Sequence, residues 1–232
     1  MINHFVNGLS KEKDDKDALK KAIKDNPSVD IALFGRMVAS DPTLNFDAAS
    51  QVAHAISTHK VQNEFDYFTA VDDLQADDNS GAGHLGTVEY NSSTLYRYAN
   101  INVSELVGTI GADSVPDVVA KFAKAFVCSM PTGKENTFAN RTLPEMIYIT
   151  IRNDQPINLC GAFESPVKNK GDGYALASEK AFVDYTKKLY ENYDAKPVCA
   201  FCLGDYISEI GDKYSLPVML DALKGKIAEM TE

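Results

Sequence analysis

The spacing of apolar residues along the chain changes from helical to extended and back. Residues 10–25 alternate Lys with Asp and predict an exposed helix, and Val29–Ala39 carries apolar residues at helical spacing. A third helix is predicted from residue 45 or 47 to about residue 59. The pattern then becomes extended from Val61 to about Ser92 and is interrupted by glycines, which predicts a long hairpin arm.

The second half of the chain mixes further helices with apolar strands. The predicted helices are Ser104–Ile110, Ser114–Met130, Ala175–Tyr193 and Leu216–Met230. The predicted strands are Met146–Arg152, Pro197–Leu203 and a continuation of the arm to Ile101. Because these elements follow no regular βαβ order, an α+β fold fits best.

Composition narrows the class of protein. The 232 residues are 44% hydrophobic and 24% charged, which is ordinary for a globular chain. No apolar run is long enough for a transmembrane helix, and the first residues lack the pattern of a signal peptide. With four cysteines and no secretion signal, we expect a cytoplasmic protein. The net charge of −10 argues against a free-standing nucleic-acid binder, because phosphates normally require a basic surface.

The cysteines and histidines form no recognisable metal motif. Cys199 and Cys202 form a lone CxxC inside a predicted strand, whereas a structural zinc site needs four ligands, so we interpret them as small strand residues. His54 and His59 are spaced wrongly for a helical zinc pair. We expect one of these histidines to face the core and the other to be exposed.

The arm itself is acidic and rich in apolar side chains. It has seven acids and no Lys or Arg between Val61 and Ser92, so it would repel phosphates. Its apolar side chains could still insert between bases or stack on them. The residues alone favour a plainer interpretation, a hairpin packed on its own domain or on a sister subunit.

Two other segments carry candidate phosphate contacts. Lys168 and Lys170 lie in one predicted loop, and Lys134 and Arg141 lie in another. From the residues alone, a solvated turn is the better interpretation of each loop.

Five segments in a fixed order connect the chain to a known family. They are Asp30–Met37 (DIALFGRM), Ala53–His59 (AHAISTH), Phe68–Leu74 (FTAVDDL), His84–Thr87 (HLGT) and Tyr96–Asn102 (YRYANIN). Together they resemble CasC, the backbone subunit of the type I-E CRISPR interference complex, Cascade. The resemblance is dense from about residue 29 to residue 102 and thinner but collinear to the end.

The resemblance implies a hand-shaped protein that polymerises along CRISPR RNA. The implied regions are a helical, fingers-side region (1–60), a β-hairpin thumb (61–92) and the remainder of an RRM-like, ferredoxin-like palm (93–232). The implied partners are CRISPR RNA, target DNA through the guide, other copies of the chain and other Cascade subunits, with no membrane. The resemblance implies no catalytic residue, no metal and no cofactor.

The resemblance also assigns RNA-binding roles to particular positions. Met37 would insert beside the bases, and residues of the thumb would hold a kink where one base is displaced. The implied thumb residues are Tyr67, Phe68, Thr69, Val71 and Leu85, and the implied phosphate contacts are Lys134, Lys168 and Lys170. Tyr67 stands where some relatives have Trp, which keeps an aromatic face.

The resemblance further implies that this chain lacks an N-terminal portion of the family. That portion carries the first palm strand and the most basic RNA-binding segment, so its absence would account for the acidic balance. A sheet without this strand would have an exposed edge.

Two other functions remain open from the sequence. One is a metal-dependent RNA-guided ribonuclease with Asp72 or Asp73 as the catalytic acid, within an acidic segment that also reads as a solvated loop tip. The other is an oligomerisation module without nucleic acid.

Overall fold

The computed structural model describes residues 16–25, 27–70, 84–169, 171 and 173–231. Its helices are α1 Lys16–Asp25, α2 Val29–Phe34, α3 Val103–Ile110, α4 Val115–Cys128, α5 Glu135–Phe138, α6 Ala175–Tyr193 and α7 Leu216–Thr231. Its strands are β1 Ser50–Val52, β2 Ile56–Ser57, β3 Glu64–Ala70, β4 His84–Tyr90, β5 Leu95–Tyr96, β6 Ala99–Ile101, β7 Ile147–Ile151, β8 Cys199–Leu203 and β9 Asp212–Lys213. Short 3₁₀ turns occur at Pro42–Leu44, Ala112–Ser114, Leu159–Phe163 and Ile207–Glu209. The α+β class is confirmed.

A three-stranded sheet with the order β7-β8-β9 separates two hydrophobic cores. Strands β7 and β8 pair antiparallel, with Ile149 opposite Phe201, and β9 joins β8 in parallel. Because successive strand residues point to opposite faces, Ile149 and Phe201 enter the core beneath α4 and α7, whereas Tyr148 and Cys202 enter the core beneath α6. Both faces of this sheet are therefore covered.

In the second half of the chain, the predicted helices that the structure confirms have an apolar face directed at the sheet. Helix α4 buries Val115, Val118 and Val119, and α7 buries Met219 and Leu223 against the same core. The hydrophobic periodicity that predicts these helices arises from this burial.

The third predicted helix is wrong, because this stretch of the chain forms two short strands. Ile56 pairs opposite Tyr96 in the β2–β5 ladder, and Gln51 pairs opposite Asn100 in the β1–β6 ladder. The partners are distant in sequence, so no local pattern reveals them. This pairing overrides a helical spacing of apolar residues.

The second helix is shorter than predicted. It ends at Phe34 rather than at Ala39, because Gly35 adopts a φ of 72° and turns the chain out of the helix. A Cβ atom at Gly35 would lie 2.8 Å from the carbonyl oxygen of Phe46, so the close approach of these two segments also requires glycine. Arg36 then pairs with Phe46 as an isolated bridge.

The two halves of the predicted arm pair as a hairpin. Strands β3 and β4 run antiparallel over seven residues each, with Glu64 opposite Tyr90 and Ala70 opposite His84. The division of the chain at residues 60 and 92 stays a prediction. Within the residues that the structure describes, no helix is both long and apolar enough to cross a lipid bilayer.

Candidate nucleic-acid interface

The β3–β4 hairpin presents apolar side chains to solvent. Every residue of β3 is exposed, including Phe65 and Tyr67 at more than 60% of their surface. Leu85 on the facing strand is 58% exposed. Large apolar side chains that are withheld from both cores are the feature expected of a surface that contacts a partner.

Phe68 lies across the hairpin against a glycine. Its cross-strand partner is Gly86, and a Cβ atom at that position would lie only 2.6 Å from the ring. The glycine therefore creates the space in which the aromatic ring rests on the opposite strand. Thr69, the next residue, pairs with Leu85.

Met37 lies on a loop between α2 and β1 that hydrogen bonds hold in place. Its side chain is 83% exposed. The guanidinium of Arg36 donates hydrogen bonds to the carbonyl of Leu44, at 3.2 and 2.9 Å, and the backbone N–H of Val38 donates to Asn45 Oδ1 at 2.6 Å. The residues on either side are thus held while Met37 projects into solvent.

Lys134 lies in a tight turn, a conformation that the sequence pattern of this polar loop does not indicate. It is exposed and adopts a left-handed conformation, with a φ of 59°, directly before α5. Arg141 pairs with Glu135 in the same loop, and this hydrogen bond holds the pKa of Glu135 below its ordinary value. The charge of Arg141 is therefore largely offset by a neighbour.

Lys168 is exposed in a loop ordered by an asparagine. The Oδ1 atom of Asn169 accepts hydrogen bonds from the N–H groups of Gly171 and Gly173, at 2.7 and 3.3 Å. Both glycines have positive φ angles, of 117° and 84°. This local closure keeps the loop compact beside the start of α6.

Four implied RNA-binding residues share the hairpin, namely Tyr67, Phe68, Thr69 and Leu85. Val71 and Lys170 lie outside the described residues, as do Asp72 and Asp73 of the ribonuclease hypothesis. Met37, Lys134 and Lys168 are each exposed on separate loops. Their roles in binding stay predictions.

The interpretation of the histidines and cysteines is confirmed. His54 is exposed and His59 is buried, although His54 lies in the link between β1 and β2 and His59 forms an isolated bridge with Val167, and neither lies on a helix. Cys199 and Cys202 belong to the two different cores on opposite faces of β8. Burial raises the pKa of both thiols, as expected for packed strand residues. Among the described residues, no three His, Cys, Asp or Glu side chains converge on a possible metal position.

Sequence reasoning missed two aromatic contacts at the base of the hairpin. The ring of Tyr90 packs on Phe138 with centroids 4.6 Å apart, and His59 stacks on Tyr174 with centroids 3.7 Å apart. Each contact joins residues that are distant in sequence. No local signal in the sequence identifies either pair.

Comparison with known proteins places the chain in a family. Residues 2–224 match the CT1975-like protein family. The chain belongs to this family. No curated protein matches the chain.

Members of CRISPR surveillance complexes have a similar structure to this CT1975-like protein. One, from a structure described as "CRISPR RNA-guided surveillance complex, pre-nicking", is 32% identical with a TM-score of 0.80. Another, described as "CRISPR RNA-guided surveillance complex", is 31% identical with a TM-score of 0.76. The chain is covered to 95% and 97% in these matches, and it spans 63% and 84% of the two relatives.

Proposed function

We propose that this CT1975-like protein is a CRISPR RNA-binding backbone subunit of a type I-E Cascade interference complex. In this role, copies of the protein assemble along the guide and kink it at intervals, so that short segments are presented to target DNA in antiviral defence. The similarity to chains of RNA-guided surveillance complexes supports the complex, and the resemblance of five motifs to CasC supports the subunit.

The observation that carries the proposal is the hairpin with its exposed apolar side chains. The Tyr67 and Leu85 side chains contribute to neither core, and Phe68 rests on the opposite strand rather than beneath a helix. Apolar side chains on a projecting element can insert between bases, a mode of contact that does not depend on positive charge. The acidic arm is therefore compatible with RNA binding when lysines elsewhere contact the phosphates.

The mechanism is assembly rather than chemistry. Lys134, Lys168 and Lys170 contact guide phosphates, while Met37 and the hairpin separate neighbouring bases. The remaining sheet and helices serve as an RRM-like palm, and the protein acts in the cytoplasm with no catalytic residue or cofactor of its own. Because binding energy is distributed over many copies on one guide, a weak contact per copy suffices.

The test is nuclease protection of a synthetic CRISPR RNA by the purified protein. The proposal predicts cleavage sites that recur at a regular interval where bases are displaced. Replacing Phe68 and Leu85 by Ala should abolish that regular pattern, because these side chains hold the kink. Tyr193→Ala with Val218→Ala is the matched control, since both side chains are exposed far from the hairpin in sequence.

Two results would contradict the proposal. The first is failure of the wild-type protein to protect CRISPR RNA from the nuclease. The second is a cleavage pattern that is the same for the wild-type protein and for the Phe68 and Leu85 variant. Divalent-metal-dependent cutting of the bound RNA that is lost in Asp73→Asn would favour the ribonuclease hypothesis instead.

A further inference from the structure

The outgoing strand of the hairpin is fixed to the loop that carries Lys134. Tyr90, the last residue of β4, packs its ring on Phe138 at 4.6 Å with an interplanar angle of 47°. Both rings are half-buried, whereas the residues of β3 are exposed throughout. The aromatic pair is therefore a point where the hairpin contacts another segment of the protein.

The conformation of this loop links Phe138 to Lys134. The two residues are one helical turn apart, and the N–H of Phe138 donates a hydrogen bond to the Lys134 carbonyl at 3.0 Å. Lys134 and Ala139 both adopt left-handed conformations, at φ angles of 59° and 48°, and so close the turn at both ends. A displacement of Phe138 would therefore move Lys134.

The incoming side of the hairpin is fixed to the loop that carries Lys168. His59, five residues before β3, is 9% exposed, and its ring stacks on Tyr174 at 3.7 Å with an interplanar angle of 15°. Its Nε2 atom accepts a hydrogen bond from the N–H of Thr94 at 3.1 Å, just beyond the hairpin. The His59 ring therefore contacts Thr94, which follows the hairpin, and Tyr174, which ends the Lys168 loop.

Backbone hydrogen bonds reinforce this second connection. The N–H of Thr58 donates to the carbonyl of Thr94, and the N–H of Val167 donates to the carbonyl of Thr58, both at 2.9 Å. Val167 directly precedes Lys168. Thr58 thus lies between the hairpin exit and the lysine loop and is hydrogen-bonded to both.

We propose that Phe138 and Tyr174 are positioning residues that hold Lys134 and Lys168 at fixed places relative to the hairpin. Each aromatic contact sets the separation between a bound phosphate and the bases that the hairpin displaces. The inference rests on the proposed function, since it assigns these residues to the register of the bound guide. It predicts that they control where the RNA is kinked, while the lysines control how tightly it is bound.

The experiment compares the affinity and the protection pattern of a labelled synthetic CRISPR RNA across matched variants. Phe138→Ala and Tyr174→Leu should lose the regular interval of cleavage, because each removes a ring contact that holds a lysine loop at the hairpin. Phe138→Tyr and Tyr174→Phe keep the rings and should restore the interval. Lys134→Ala and Lys168→Ala should weaken binding while keeping the interval.

A variant at Tyr90 tests whether loss of the Tyr90–Phe138 contact, rather than misfolding, alters the interval. Tyr90→Ala removes the same ring pair as Phe138→Ala, so it should give the same altered interval, and the double variant should add little further change. Thermal unfolding by circular dichroism confirms that each variant is folded.

The outcomes separate the two proposals. Folded ring-deletion variants that give the wild-type interval would overturn this inference and leave the proposed function intact. Failure of the wild-type protein to protect CRISPR RNA would overturn both.

Discussion

Gly86 shows how one missing Cβ atom can shape a candidate binding surface. Because that atom would lie 2.6 Å from the Phe68 ring, Gly86→Ala should push the ring off the opposite strand. Because every residue of β3 is exposed, Phe68 included, we expect the free energy of unfolding to change by less than about 0.5 kcal/mol while RNA protection loses its regular interval. Chemical denaturation and nuclease protection measure the two effects.

The control for this substitution is Gly108→Ala in α3. A Cβ atom there meets nothing within 4 Å, so the same chemical change lies in open space. It should stabilise the helix by about 0.5–1 kcal/mol and leave protection unaltered. Equal effects of the two substitutions on protection would refute the role assigned to Gly86.

Glu179 is a buried carboxylate with a structural role. It is 5% exposed, and its Oε1 atom accepts a hydrogen bond at 2.8 Å from the N–H of Ile207, which is fully buried. Glu179→Ala leaves that donor without its partner, so we expect a loss of about 1–3 kcal/mol in the free energy of unfolding. Urea denaturation measures the loss.

Two variants bracket that prediction. Glu179→Gln keeps an acceptor oxygen and should cost less than the alanine variant. Glu191→Ala makes the same substitution at an exposed position of α6 and should change stability by less than about 0.5 kcal/mol. A Glu179→Ala loss no larger than that of Glu191→Ala would show that the hydrogen bond contributes nothing.

At the scale of single residues, the sequence predicts side-chain burial better than side-chain contacts. The sequence predicts that one of the two histidines His54 and His59 is buried and that Cys199 and Cys202 pack in a strand, and the structure agrees. The exposure of the hairpin was not predicted, because the residues alone favoured a hairpin packed on its own domain or on a sister subunit. The stacking of His59 on Tyr174 was not predicted either, because it depends on how distant segments pack. The left-handed conformation of Lys134 could not be predicted either, since a non-glycine residue in this conformation has no reliable signature in the sequence.

At the scale of elements, helices that cover a core were predicted and strands that pair over long distances were not. Helix α4 shows a clear apolar face because one core lies beneath it. Strands β1 and β2 are only three and two residues long, so neither displays an alternating pattern. Their partners β6 and β5 supply the hydrogen bonds that decide their conformation.

An ion pair connects α1 to the turn before β1. Lys20 Nζ lies 2.7 Å from Asp41 Oδ2, and hydrogen bonds from Lys20 and Thr43 lower the pKa of Asp41 from 3.8 to about 2. A lowered carboxyl pKa stabilises the folded state above pH 3.8, and this contribution is lost as the pH falls toward about 2. The protection of the α1 amides, measured relative to the exchange rate of an unfolded chain at the same pH, should therefore fall across that interval.

The carboxyl group itself can be titrated by carbon NMR. Its midpoint should lie near 2 in the wild-type protein and rise toward 3.8 in Lys20→Met, which removes the principal hydrogen-bond donor. Lys24→Met on the same helix is the charge-matched control and should leave the midpoint in place. A wild-type midpoint near 3.8 would show that the pair does not form in solution.

At the scale of the whole molecule, the α+β class was predictable and the arrangement of the candidate interface was not. Alternation of helical and extended patterns indicates the class, and the five motifs resemble a CRISPR complex subunit, in agreement with the similarity to chains of CRISPR surveillance complexes. The convergence of the hairpin base with two lysine loops depends on contacts across the fold. It could not be inferred from an acidic composition that argues against a free-standing RNA binder.

The net charge of −10 makes the salt dependence of binding a decisive measurement, because an acidic chain can replace counterions on the guide only where its cations are locally concentrated. If Lys134 and Lys168 each contact one phosphate, replacing both by Ala should reduce the slope of log affinity against log salt by about 1.4, the value for two contacts on a single strand. Lys188→Ala with Lys196→Ala removes the same charge near the far end of α6, about 20 Å along that helix from Tyr174, and should leave the slope unchanged. If both double variants lower the slope equally, the effect comes from overall charge, and the two loops are not the phosphate contacts.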